Sequence, residues 1–453
     1  MARVLMLCHD QHLDRRVVAQ AQTLIKAGHS VRLLALSYDA DTHSEEMPEG
    51  IDLTRIGLSD IVPENETYLA YIARQYSFNN ILNKLANRYP KHTALFSKGF
   101  SWASKVNWEI YKLLLLKRYR NRTLHDPLPF RSAFVKHGEM YKSDLVQVHD
   151  LPALEAGVEL AGKWNVPLVY DAHELYPEQK SFSGKQRRIC SDTEARLIKK
   201  ANLVFAVNES IGEEMSSRYA IEKPLTLLNA IDPVPEFDGQ ASYDLLREKL
   251  NLAQDRKILL FQGGFSPFRN LEFLIEAMAY VKNKDVALVM MGFGTYGELL
   301  KAKAERLKLL GSGVYFMAAV PQIELLQHSA SADVGIIPYP HVDLNSYFCT
   351  PNKLFEFIQA GLPILANDSP ELNRFVQGNG FGMTHKMDKP KDIAMAIDAA
   401  FLSPELNAWK QSLREKRSLL TWKSQESVYG DSVEKLFPIA STVVESNLQL
   451  GVV

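Results

Sequence analysis

Lys353 and Glu356 stand three residues apart in the stretch TPNKLFEFIQAGLP, residues 350–363, and on a helix that spacing puts them on one face. Thr350 suits an N-cap, Pro351 the first helical position, and Gly361 the helix end, with Pro363 beyond it as a stop. Leu354, Phe355, Phe357 and Ile358 are apolar around the rest, so the helix is expected to be mostly buried while carrying a cation and a carboxylate near its start. Free amides and the helix dipole attract anions at an N-terminus, and Lys353 adds a full positive charge. Phosphate is the chemistry this favours, with Asn352 beside it and Glu356 one turn deeper to accept from ribose hydroxyls. The alternative is that Lys353 reaches water and pairs with Glu356.

Other chemistry-bearing residues gather where apolar runs stop. His149 and Asp150 follow one such run, and Asp171, His173 and Glu174 follow another. A lone histidine is often structural, but His173 shares its loop with two carboxylates, which favours a site residue. Gly263 and Gly264 follow a third run and open a loop ending near Arg269, so that backbone amides and one guanidinium approach a diphosphate there. Gly292, Gly294 and Gly297 match G-x-G-x-x-G and raise a dinucleotide-binding alternative. That pattern asks for an acidic residue after the next strand, and the run from Val314 to Ala319 is followed by none.

The elements that must position these residues alternate. Short apolar runs at residues 4–8, 31–36, 145–148, 168–170 and 203–207 read as strands buried on both faces, with helices between them, such as 14–27 and 152–163. Asp14 and Arg15 lie in the loop after the first strand, where such folds hold ligands. After a Pro-, Asp- and Gly-rich linker, a second series begins: strands at 258–262, 286–291, 314–317, 334–338 and 364–366, with loops at 263–270 and 292–297 and the helix of Lys353 between the last two strands. The fold class is therefore α/β, with two doubly wound Rossmann-like domains: residues 1–230, residues 231–421, and a closing helix and tail at 422–453. Residues 64–137 break the rhythm as an aromatic and basic helical insertion.

The chain has 453 residues, 46% apolar and 23% charged, with a net charge of −1. That balance suits two or three folded domains and argues against a nucleic-acid partner. Three scattered cysteines show no metal-ligand spacing, and Asp39 to Asp41 reads as a solvated loop, so no metal or other cofactor is expected. Scattered cysteines, a short first apolar run and the lack of any long one point to a reducing, cytoplasmic setting without a signal peptide or membrane span. Residues 98–122 place aromatics and leucines beside Lys105, Lys112, Lys117, Arg118, Arg120 and Arg122. That composition fits a helix on an anionic membrane surface, hence a peripheral position at the inner face, or else an ordinary helical insertion.

Taken together, YDAHELYPE (170–178), QGGFSPFRN (262–270), PNKLFEFIQAGLPILAND (351–368) and TWKSQE (421–426), with LDRRV (13–17) and GHSVRLLAL (28–36), resemble the retaining GT-B glycosyltransferases of the family-4 type. The resemblance covers nearly the whole chain outside the insertion. It implies that the two domains face a cleft, with a nucleotide-sugar donor, commonly a UDP-sugar, in the second. The acceptor, a saccharide or lipid-linked saccharide of surface polysaccharide assembly, would lie mainly on the first, with Asp14, Arg15, Asp150 and Glu174 on its side. It also implies that Arg269 and Lys353 neutralise the diphosphate, Glu356 holds the ribose, Gly263, Gly264, Gly292, Gly294, Thr350, Pro351 and Asn352 line the donor, and His173 reaches the transferred sugar. Phe348 stands where many relatives have the first glutamate of an E-x7-E pair, leaving Asn345, Ser346 and amides near Cys349 to grip the sugar. A sugar-nucleotide epimerase on the same fold and a non-catalytic nucleotide-sugar-binding or membrane-docking partner are the rival functions.

Overall fold

Continuous apolar runs leave no polar face for water, so they form strands covered on both sides by helices. The computed structural model describes residues 1–47, 50–61 and 127–437. The expectations for the insertion up to residue 126, including the membrane-facing segment 98–122, and for the tail from 438 lie outside them. Strands β1 (Arg3–Cys8), β2 (Ser30–Leu36), β3 (His43–Glu46), β4 (Asp52–Ile56), β5 (Leu145–His149), β6 (Leu168–Ala172), β7 (Leu203–Ala206) and β8 (Leu225–Thr226) form one sheet in the order β3-β4-β2-β1-β5-β6-β7-β8. All pairs are parallel except β3 with β4. A second sheet, wholly parallel, has the order β11-β10-β9-β12-β13-β14, from β9 (Lys257–Gly264), β10 (Val286–Phe293), β11 (Val314–Ala318), β12 (Val334–Ile337), β13 (Ile364–Asn367) and β14 (Gly382–His385).

In each sheet the strand order reverses once, beside β1 and β5 in the first and beside β9 and β12 in the second. A doubly wound sheet opens a crevice at that point, past the carboxyl ends of its strands, because the flanking loops run to opposite faces. The residues that end these strands face each other between the domains.

Three expectations about the elements change. Gly263, Gly264 and Gly292 are not loop residues but the ends of β9 and β10, held by parallel pairing of Gly292 with Gly263. The helix of Lys353 runs Asn352–Ala360 with Pro351 as its N-cap, not Thr350, because Pro351 has extended backbone (φ −67°, ψ 147°) and no capping side chain. Its end is as expected, with Gly361 in the left-handed region at φ 70°. The span assigned to the insertion also reaches too far: the Arg131–Gly138 helix buries Ala133 and Phe134 in the core of the first domain.

The closing helix is Glu426–Glu434, and it packs on the first domain, burying Tyr429 and Val433 with Trp422 against β1 and the Arg15–Lys26 helix. The chain thus crosses between domains twice, and the crossings are tied together. Leu228 donates its amide to Gln425 Oε1 at 2.8 Å, and Gln425 Nε2 donates back to the Leu228 carbonyl at 2.7 Å. Among the described residues no helix is long and apolar enough to cross a membrane.

Candidate active site

On the second domain, the helix after β12 carries Lys353 inward, with 5% of its surface exposed. Its ammonium donates to the Tyr339 hydroxyl at 2.7 Å and lies 3.8 Å from the centre of the Phe261 ring. A Cβ built on Gly263 would stand 3.5 Å from Lys353 Nζ, so bare backbone at the end of β9 faces the charge. Arg269 donates to the Gly264 carbonyl at 3.0 Å and lies 5.4 Å from the Tyr339 ring. Among the described residues neither cation has a carboxylate within 4.0 Å. Burial, and then the charge of Arg269, push the Lys353 ammonium well below the usual lysine range. A buried cation without a counter-charge is costly unless an anion arrives.

Lys353 does not pair with Glu356. The Glu356 carboxylate instead takes Arg15 from the other domain on one oxygen and Gln262 Nε2 on the second at 2.6 Å. Gln262 is itself fixed by the Ser329 hydroxyl, which donates to its Oε1 at 2.6 Å. Arg15 also donates to Gln322 Oε1 at 3.2 Å.

The first domain presents a different arrangement. Arg16 and Gln20, one turn apart on the first helix, both turn inward onto Asp171 at the end of β6. Arg16 grips both oxygens, through Nη2 and through Nε at 3.1 Å, and Gln20 Nε2 donates at 2.6 Å. His173 Nε2 lies 3.1 Å from Asp171 Oδ2 and 3.2 Å from His149 Nδ1, and its backbone amide donates to Asp150 Oδ1 at 2.8 Å. Burial opposes charge on His173, yet Asp171 and then Asp150 outweigh it and hold the imidazolium up to about 9. Burial likewise opposes the Asp171 carboxylate, and Arg16 followed by His173 keeps it well below the usual carboxylate range. Burial lowers His149, so its imidazole stays neutral.

His149, Asp171 and His173 each offer one atom within 4.8 Å of the others, a spacing that a cation could use. Both Asp171 oxygens already hold Arg16, however, so the positive charge here is supplied by guanidinium and imidazolium.

A cavity of about 440 Å³ opens between the domains, its walls including Glu174 and Lys180 from the first and Arg269, Tyr339, Asn345 and Cys349 from the second. Its rim is bridged. Asn345 donates to Glu174 Oε2 at 2.6 Å and accepts from the Leu175 amide at 3.1 Å. Asn352 donates to Asp14 Oδ2 at 3.3 Å, while Asp14 caps the first helix by accepting from the Arg16 amide at 2.8 Å. Thr350 Oγ1 accepts from Asn208 at 3.3 Å. Phe348 packs against the apolar cluster of the first domain. At that position an aromatic ring builds the domain contact that a carboxylate would disrupt. Burial pushes the Cys349 thiol up to about 12, so it is no nucleophile at neutral pH.

Lys353, Glu356, Arg269, Gly263, Gly264, His173, Glu174, Asp14 and Arg15 are thus brought to one cleft. Asp150 is buried with a positive φ of 61° and orders the His173 loop. Gly292 and Gly294 have a packing cause of their own: a Cβ would meet the Gly263 carbonyl oxygen at 2.0 Å or the Phe265 carbonyl oxygen at 2.6 Å, and Gly297 lies on the Phe265 ring. The sequence reading missed the pairing of Arg16 with Asp171 and the roles of Gln20, Gln147, Gln262 and Tyr339. Gln147 was a usable signal, being a polar residue inside an otherwise apolar strand run.

Two family models match the two domains, Glycosyltransferase Family 4 over residues 13–233 and Glycosyl transferases group 1 over residues 256–402. The chain has the two-domain GT-B fold, and each half matches a glycosyltransferase family model. Sucrose-phosphate synthase from Thermosynechococcus elongatus superposes over 96% of this chain and 99% of its own with a TM-score of 0.66 at 17% identity. HepE of Anabaena, solved with UDP and glucose, superposes over 96% and 100% with a TM-score of 0.65 at 14% identity. Among curated relatives, alpha-monoglucosyldiacylglycerol synthase of Streptococcus pneumoniae is 25% identical over 57% of this chain, and D-inositol 3-phosphate glycosyltransferase of Geodermatophilus obscurus is 24% identical over 58%. The chain spans 59% and 60% of the length of these two relatives.

Proposed function

We propose that this group 1 GT-B chain transfers a sugar from a nucleotide-sugar donor, a UDP-sugar by preference, to a saccharide or lipid-linked saccharide, with retention of configuration and without a metal. The observation that carries the reading is the pair Lys353 and Arg269, two cations at the mouth of β9 that among the described residues have no carboxylate within 4.0 Å. A diphosphate supplies the missing charge. UDP and glucose in HepE support the choice of donor.

In this mechanism the diphosphate leaves as the sugar passes through an oxocarbenium-like state, and fixed cations aimed at the departing oxygens lower that barrier more than a strong base would. Arg269 and Lys353 take the charge of the leaving group. The departing phosphate oxygen accepts the acceptor's proton on the same face, which returns the original configuration. Glu356 and Gln262 hold the ribose, and His173 reaches the transferred sugar from the opposite wall. The acceptor enters past Asp14, Arg15 and Glu174.

The test is a panel of nucleotide sugars scored by melting temperature and by nucleotide release. One donor class should raise the melting temperature by several degrees, since a ligand selective for the folded state stabilises it. Lys353→Ala and Glu356→Ala should each remove most of that shift and most turnover while keeping the fold. A panel that shifts nothing, or variants that turn over as the parent does, would end this reading.

A further inference from the structure

A chain of buried hydrogen bonds leads from the closing helix to His173. The Tyr429 hydroxyl, on a fully buried side chain, donates to Gln147 Oε1 at 2.8 Å. The Gln147 amide nitrogen then has two protons to place. One goes to Gln20 Oε1, and the other to His149 Nε2 at 3.3 Å. With its carbonyl thus occupied, Gln20 turns its own nitrogen to Asp171 Oδ2 at 2.6 Å. His149, accepting at Nε2, carries its proton on Nδ1, which stands 3.2 Å from His173 Nε2 and 3.4 Å from Asp171 Oδ2, so that both rings turn a proton toward that carboxylate oxygen. Every link is directional, because an amide presents donors at one end and acceptors at the other. Buried amides with no water to turn to keep the orientation their partners dictate.

We infer that Tyr429 is a positioning residue for His173: by donating to Gln147 it fixes the direction of two buried amides and one imidazole, so that only donors face Asp171 and the His173 ring is held in one orientation. This rests on the proposed place of His173 at the transferred sugar. Removing the hydroxyl leaves Gln147 Oε1 without its donor and lets both amides turn. Gln20 then presents a carbonyl to the Asp171 carboxylate, and Oδ2, relieved of one competing donor while Arg16 keeps it ionised, holds the His173 proton more tightly. The groups facing His173 are Asp171 and Glu174 from its own segment, His149 and Asp150 from the end of β5, Asp14 and Arg16 from the first helix and its cap, and His9 from the end of β1. Tyr429 belongs to the segment that returns from the second domain. The docking of that segment is thereby read out at the cleft.

The experiment compares the full chain with Tyr429→Phe, following the His173 ring by NMR with labelled histidine, its signal assigned through His173→Gln. Tyr429→Phe should keep its melting temperature within a few degrees while His173 titrates about one pH unit higher. Gln20→Met, which cuts the chain without touching the closing helix, should give the same displacement. Val433→Ala, which loosens that helix and leaves the chain intact, should lower the melting temperature and leave the titration in place. An unchanged titration in Tyr429→Phe and Gln20→Met, or an equal displacement in Val433→Ala, overturns the inference. UDP release from UDP-glucose separates it from the reading beneath it. Full turnover in His173→Ala removes His173 from the sugar, whereas the NMR titration still decides what Tyr429 does.

Discussion

The two walls of the cleft hold charge in opposite ways. On the first domain, Asp171 is surrounded by Arg16, Gln20, His149 and His173, and its charge is fully matched. On the second, Lys353 and Arg269 sit with aromatic rings, a hydroxyl and a carbonyl, and among the described residues with no carboxylate within 4.0 Å. A matched cluster is a fixed part, whose value lies in orientation. An unmatched one is a receptor, whose folded state carries a cost that a ligand relieves. Breaking the first should therefore damage stability, and breaking the second should damage binding and rate.

The largest effect expected from this contrast is on stability. Asp171→Leu leaves the Arg16 guanidinium buried and unable to shed its proton, so it should cost about 3–5 kcal/mol in urea unfolding. The double variant Arg16→Met with Asp171→Leu should recover much of that loss while lowering the His173 titration. A single variant no less stable than the parent would mean that the cluster is not matched as described. Lys353→Ala should do the reverse. Its turnover should fall about 10²–10³-fold, the usual effect of deleting one fixed group that stabilises developing negative charge. Without ligand its melting temperature should hold or rise, because a costly buried charge has gone. A large drop in ligand-free stability would place Lys353 among the structural residues instead.

How much of this could be read beforehand depends on the range of the interactions. The parallel strands were legible because runs such as VLMLC and ILLF carry the signal within a few residues, and Gly361 marked its helix end through a backbone need that glycine meets locally. The clustering of His173 with carboxylates was legible because ionisable residues crowd the strand end that holds it. The pairing of Arg16 with Asp171 was not, since the partners are 155 residues apart and meet only when the first helix packs across the sheet. The β3 strand escaped because its four residues are all exposed, so it has no apolar alternation. The glycines at 292, 294 and 297 were legible as a motif and misleading as to cause: Phe265 packs against all three. At Thr350 and Pro351 the residue types were right for a helix start and the register was off by one, because proline's fixed φ suits both the cap and the first turn.

A smaller effect separates the walls by pH. The folded value of His173 is raised to about 9, against roughly 6.5 in an unfolded chain. Its contribution to stability is therefore complete below pH 6.5, declines as pH rises, and is gone above pH 9. Over that window the parent should lose up to about 3 kcal/mol relative to His173→Gln, by the free energy of such a shift. Parallel pH profiles for the two proteins would show that the imidazolium is not held by Asp171. No corresponding difference is expected between the parent and Tyr339→Phe, whose hydroxyl faces the unmatched wall.

The smallest effect tests where the walls touch. Arg15 reaches across to Glu356, and its side chain is 37% exposed, so the ion pair itself is worth only about 0.2–1 kcal/mol. The carboxylate it occupies is the one proposed for the ribose, with its other oxygen already taken by Gln262. A nucleotide must therefore displace Arg15 or share Glu356 with it. If it displaces Arg15, Arg15→Ala should lower the donor KM two- to fivefold, the competition having cost about that much binding energy, and should lower unfolding stability by no more than about 1 kcal/mol. If KM rises instead, Arg15 is a donor ligand that follows the phosphate after release. Glu356 would then be bound to the matched wall only until substrate enters, and the two walls would exchange a partner during the catalytic cycle.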